Sequence, residues 1–372
     1  MKINKANLWL RFCLASNFIF GGANPVTTFS YVIGLLIFAY DRPLKITIAY
    51  FYPIVFIILL LFHPYTDLKY LFNCTVFYLA TVFAWHQLNR SKINVELSIV
   101  STVKLIAAVI ILAGFFNLAE LSKSFNHLYF AISQSVGIKK ELIGVFAIFA
   151  FGLIVSSSKP VFYKIILLIC VLVFCISIRT VYFSFTLALI SVFLRFRGAK
   201  VLCVFAFIFI YFFSILTIYY SEYLFAEFYL IIFSDIRGVM LLGVVETLAD
   251  YPFGIGFGAH DTFFRDILEL SPARATEFGV NAKYTLRTDN ISTIESDWLM
   301  LYTNMGWIGP ALIYVPLVYL SIKQHDTRLG IFCVFCTTAY LTAGISQDYV
   351  FRIHFFLLIL FLLYNSKAPQ KG

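Results

Sequence analysis

Four stretches of the chain carry residue types that can do chemistry. In "STIESDWLMLYTNMGWIGP", from Ser292 to Pro310, the carboxylate of Glu295 stands at the mouth of a long apolar run. A carboxylate at the edge of an apolar bundle, facing arginines, can act as a general base. A quieter explanation fits the same residues. Ser292-x-x-Glu295 before an apolar run matches a helix capping box, Asp297 suits a helix N-terminus, and Gly306 and Gly309 allow close helix packing. Arg179, in "CISIRTVYFSF", lies between two apolar runs with almost no loop. Its guanidinium suits phosphate oxygens, or it snorkels at a tight helical turn. Arg237 follows Asp235 at the start of an amphipathic stretch, as a ligand group or as half of a local ion pair.

"YPFGIGFGAHD", from Tyr251 to Asp261, spaces Gly254, Gly256 and Gly258 after a proline. Read literally, Gly254-x-Gly256-x-x-Ala259 is a dinucleotide fingerprint, but the strand–turn–helix setting that motif needs is missing. Side-chain-free backbone here either lets a substrate approach or lets the chain turn. His260, beside Asp261, is an acid/base candidate or a surface histidine. Cys333-x-x-Cys336 has no second pair and falls in an apolar run, so we read small buried hydrophobes rather than a metal or redox site.

The elements that must position these residues are membrane helices. Of 372 residues, 61% are hydrophobic and 13% charged, with 43 Phe and 23 Tyr. A soluble domain carries roughly 25% charged residues. Apolar runs recur near residues 8–22, 26–40, 46–62, 70–88, 97–116, 141–157, 160–178, 180–194, 201–219, 297–320, 330–345 and 350–364. The expected fold is therefore all-α, a polytopic transmembrane bundle of about twelve spans forming a single integral membrane domain over 1–372. The basic, apolar start reads as the first span and not as a removed signal peptide. The net charge of +9 does not call for nucleic acid, because the Lys and Arg sit mostly in short loops. Lys2, Arg42, Arg90, Lys159, Arg195 and Lys323 fall on one face, which places both termini in the cytoplasm. The seven Cys lie in apolar segments, so no disulfide framework is expected.

The opposite, outer face then holds a long loop over 221–296 that gathers most of the acids. A structureless loop of that length is improbable, and two amphipathic helices are expected within it. One has Met240, Leu241, Val244, Val245 and Leu248 on one face and stops at Pro252. The other lies in "DTFFRDILELSP".

Taken in order, these stretches resemble the O-antigen ligase/polymerase superfamily. "SIRTVYFSFTLALI" is similar to the family's arginine-led outer helix, Arg237 opens a long outer loop, and "YPFGIGFGAHD" is similar to its proline–glycine turn. The ligases carry His-[Asn/Ser/Gln], nine residues, then GxxG. Here Ser296, the nine-residue gap, Gly306 and Gly309 fit, and Glu295 stands in the histidine's place. That acid–serine pair looks more like the Wzy-type polymerases. The similarity covers roughly residues 170–320.

The resemblance implies a multi-pass protein of the bacterial inner membrane, with its large loop in the periplasm. It implies that the protein joins undecaprenyl-pyrophosphate-linked repeat units by inverting glycosyl transfer, without metal or cofactor. Glu295 would be the base, Arg179 and Arg237 would meet the pyrophosphate, and the loop residues would contact sugars. Membrane lipid and the lipid-linked glycans are the implied partners, with room for a chain-length regulator protein. Two other activities are consistent with the pattern. One is a ligase moving glycan to lipid A-core, against which Glu295 argues. The other is a flippase or transporter, against which the unequal halves argue.

Overall fold

The computed structural model describes residues 140–175, 179–220, 235–256, 296–324 and 328–345, with Ile33 and Leu362. The expected spans over 8–22, 26–40, 46–62, 70–88, 97–116 and 350–364 lie outside the described residues, as does the second loop helix.

Among the described residues all regular structure is helical. The order is α1 (Lys140–Ser156), α2 (Val161–Phe174), α3 (Arg179–Phe193), α4 (Phe196–Tyr219) and α5 (Asp235–Asp250). It continues with α6 (Asp297–Met305), a 3-10 turn (Gly306–Ile308), α7 (Gly309–Ile322) and α8 (Arg328–Ala343). Helices thus occupy six of the stretches expected as spans. The largest shift is α4, which begins through "FRGAK" because Phe196 and Ala199 are buried while Arg197 stays exposed.

α8 is the central helix. Phe332 through Leu341 are all buried, and α8 touches α1, α3, α4 and α7. A helix covered on every side needs small residues where neighbours cross, and Gly330, Cys333, Cys336, Ala339 and Ala343 supply them. Cys333 and Cys336 are fully buried. The hydroxyl of Thr338 donates to Val334 O, and Ser321 bridges α7 to Thr337 of α8 at 2.9 Å. The hydroxyls of Ser321 and Thr338 are thereby satisfied between helices or within one.

The outer helices behave differently. α4 buries the stripe Ala199, Cys203, Ala206 and Ile210, and exposes Val201, Phe205, Phe209 and Phe212. An exposed apolar face of this size is a liability in water and suits lipid. Among the described residues two segments are long and apolar enough to cross a membrane, Phe196–Tyr219 and Asp297–Ile322.

The second of these is not one rod. Sixteen residues of unbroken helix would separate Trp298 from Tyr314 by about 24 Å. Their rings instead stack with centroids 4.9 Å apart. The segment breaks at Gly306–Ile308, and α6 folds back across the start of α7. The sequence pattern, read as a continuous span over 297–320, does not reveal this bend. Its cause is backbone geometry at Gly306, described below.

Short connections fix the ends of the bundle. Lys200, at the start of α4, donates to Gln324 O at the end of α7, 2.6 Å away. Lys164 of α2 reaches across a turn to Val155 O of α1 at 2.8 Å. The starts of α2, α4 and α8 and the ends of α1, α3 and α7 therefore share one end. That end carries Lys159, Arg195, Arg197, Lys323 and Arg328, all exposed, and no described carboxylate. The start of α3, with Arg179, lies at the other.

Candidate functional site

α6 is nine residues long and every one is buried. A short helix can be buried only if its orphan terminal N–H and C=O groups find partners inside the protein. The two motifs singled out by sequence supply those partners, one at each end.

At its C-terminus the partner is the "PFGIG" turn. Ile255 N–H donates to Thr303 O at 2.9 Å and Gly256 N–H to Asn304 O at 3.1 Å. Gly306 N–H takes Tyr302 O. In return Trp307 N–H donates to Pro252 O at 3.2 Å. Backbone approaches backbone so closely that side chains are excluded. A Cβ on Gly254 (φ +87°) would lie 2.5 Å from the Asn304 carbonyl, and one on Gly306 (φ +71°) 2.0 Å from Pro252 O. Gly306 also has ψ −162°, a combination essentially confined to glycine. Gly254 and Gly256 are buried and committed to capping α6. The spacing that mimics a dinucleotide fingerprint is thus a helix cap. Gly309 has helical dihedrals, yet its Cβ would sit 2.2 Å from Leu301 O. The tight packing expected of this glycine pair occurs across the bend of one segment.

At its N-terminus α6 is capped by Ser296, whose extended backbone (φ −139°, ψ 121°) ends the preceding chain. Its Oγ accepts from Leu299 N–H at 3.4 Å and donates to Gly344 O at 3.3 Å. The N-cap is therefore Ser296, not Ser292. Glu295 precedes the cap instead of occupying the third helical position a capping box requires. The capping-box account of Glu295 fails on this register.

Asp297 is a separate matter. It is the first helical residue and is wholly buried. Its N–H donates to Gly344 O at 2.8 Å, and among its partners Tyr314 OH donates to Oδ2 at 3.4 Å. Burying a carboxylate costs several kcal/mol. A helix N-terminus returns about 2 kcal/mol at most. The dipole alone does not explain an acid here.

Aromatic residues complete the packing. Trp298 donates from Nε1 to Leu341 O at 3.0 Å and lies against Phe207 and Tyr211 of α4. Tyr302 and Ser214 share a hydrogen bond of 2.7 Å, and Tyr211 OH donates to Trp307 O at 3.1 Å. Asn304 is also wholly buried, and among the described residues neither atom of its carboxamide has a hydrogen-bond partner.

α5 brings in the fourth stretch. Leu241, Val244, Thr247 and Leu248 are buried and Val245 is half-buried, and the helix packs on α6 and α4. The apolar face expected for this helix is thus turned toward other helices of the protein. Arg237 is the third residue of α5 and Arg179 the first of α3; their side chains lie outside the described part. Glu295, Gly258 and His260 lie outside the described residues. Sequence reasoning singled out Ser296, Gly254 and Gly306. It left Asp297 unranked and missed Tyr314 and Gly344, which no local pattern connects to residue 296.

The described residues hold no group of three or more His, Cys, Asp or Glu side chains arranged to bind a metal ion. No family model, curated protein or solved structure matches the chain.

Proposed function

We propose that this protein is a membrane glycosyltransferase that polymerises undecaprenyl-pyrophosphate-linked oligosaccharide repeat units at the periplasmic face of the bacterial inner membrane. What carries the reading is one juxtaposition. The helix whose cap follows Glu295 directly is the same helix that the glycine turn caps and that α5, the helix carrying Arg237, packs against. Three of the stretches that resemble the superfamily thus share one buried element.

In the proposed reaction a hydroxyl oxygen at the non-reducing end of one repeat unit attacks the anomeric carbon of another. The bond from that carbon to the pyrophosphate oxygen breaks, and undecaprenyl pyrophosphate leaves with the electron pair. Glu295 takes the hydroxyl proton. Arg179 and Arg237 offset the charge developing on the leaving group. A single displacement inverts the anomeric centre. The bundle crosses the membrane about twelve times, with the exposed basic end and both termini in the cytoplasm. The bend between α6 and α7 leaves this parity unchanged, since α7 still ends at the basic end.

A flippase draws on one specific observation, the broken α6–α7 segment, because transporters build their sites from discontinuous helices. Synthesis of a new sugar linkage by purified protein separates the two readings. The decisive variant is Glu295→Gln in the native host, with protein level and insertion measured in the same cells. We expect lost laddering and accumulation of single repeat units. Full laddering by this variant would refute the assigned chemistry.

A further inference from the structure

Resting on that reading, we propose that Asp297 is a positioning residue for the reaction, and that Tyr314 acts with it. Three consecutive residues, Ser296, Asp297 and Trp298, each donate to the last turn of α8, at Gly344 O, Gly344 O and Leu341 O. The residue before them is Glu295, whose Cα is one peptide, about 3.8 Å, from an immobilised neighbour. Residue 295 is thus joined directly to a segment that α8 and α7 hold in place.

Asp297 is the pivot of this grip. Ser296 already caps the helix, so the Asp297 carboxylate is not needed for capping. It reaches across the bend to Tyr314, and Tyr314 stacks on Trp298. Gly344 leaves room for this contact. A Cβ there would fall 2.9 Å from Oδ2 of Asp297 and 3.0 Å from Tyr314 OH. The carboxylate thus joins the start of α6 to α7 at the point where both meet the end of α8. A residue kept only for packing among Trp298, Tyr314 and Leu341 would be apolar.

The test uses full-length protein in proteoliposomes with lipid-linked repeat units as substrate. Asp297→Leu and Tyr314→Phe are expected to lower kcat about 10- to 100-fold, the scale on which a misplaced catalytic group costs rate, with KM within about twofold. Asp297→Asn, which keeps an acceptor for Tyr314, is expected to recover most of kcat. Tyr314→Phe removes a single oxygen and decides the matter if Asp297→Leu does not fold. Unchanged kcat in Tyr314→Phe, or a loss confined to KM, would overturn the assignment. Glu295→Gln runs in parallel. If it remains active, the proposed chemistry fails; if it is dead while Tyr314→Phe keeps parental kcat, only the positioning role fails.

Discussion

Gly306→Ala is the sharpest structural test of how the site is built. The new Cβ would lie 2.0 Å from Pro252 O and 2.5 Å from Phe253 Cα, where real Cβ contacts essentially never fall below 3.0 Å. The opposing atoms are backbone, so no side chain can swing aside. The turn must move, and with it go the bonds Trp307 N–H to Pro252 O, Ile255 N–H to Thr303 O and Gly256 N–H to Asn304 O. Each is worth about 0.5–1.5 kcal/mol, and the dihedral strain adds about 1–3 kcal/mol. The expected loss is about 2.5–7.5 kcal/mol, a large share of a stability of about 5–15 kcal/mol. Tryptophan fluorescence during heating in detergent measures it. Asn, which tolerates the left-handed helical region, should do no better, because ψ at this residue is −162°. Gly254→Ala breaks the same junction, so the double variant should cost less than the sum of the singles. Gly198→Ala is the control. Its Cβ meets only the Leu194 side chain, at 3.3 Å, and should leave stability within about 1 kcal/mol of the parent. A Gly306→Ala protein that melts with the parent, or strict additivity with Gly254→Ala, would refute the capping of α6 by the glycine turn.

Two further outcomes follow from the same geometry. In a cysteine-free background, Phe253→Cys at an exposed turn should react with a membrane-impermeant maleimide in cells whose inner membrane is intact. Arg195→Cys, at the exposed basic end, should react only after lysis; the reverse pattern would invert the proposed orientation. Asn304→Leu replaces a buried carboxamide that has no hydrogen-bond partner among the described residues and should raise stability by about 1–3 kcal/mol. A lower melting temperature instead would mean that the carboxamide makes a favourable polar contact in the folded protein.

What the sequence makes legible here follows from the range of each signal. Hydropathy places α1–α4, α7 and α8, because a run of apolar residues bounded by charge is a local property. The α5 face, with Leu241, Val244 and Leu248 inward and Pro252 past its end, is legible for the same reason. The bend is not. "LYTNMGWIGP" has the apolar content of a continuous span, and only the approach of Pro252, some fifty residues earlier in the chain, gives Gly306 its dihedrals. Hydropathy averages over a window, so it cannot distinguish a 26-residue rod from two shorter helices folded on each other.

The same limit governs the site. Spacing alone favours a capping box at Ser292 over a general base at Glu295, though both need only an acid just before an apolar run. The register of one backbone residue separates them. With Ser296 extended and capping, the helix begins at Asp297, which is drawn wholly inside and tied to Gly344 and Tyr314. Two acids that look interchangeable in the sequence therefore meet different constraints. Asp297, buried and hydrogen-bonded, suits the positioning role proposed for it, and Glu295, just before the cap in the chain, is the residue proposed to take the proton.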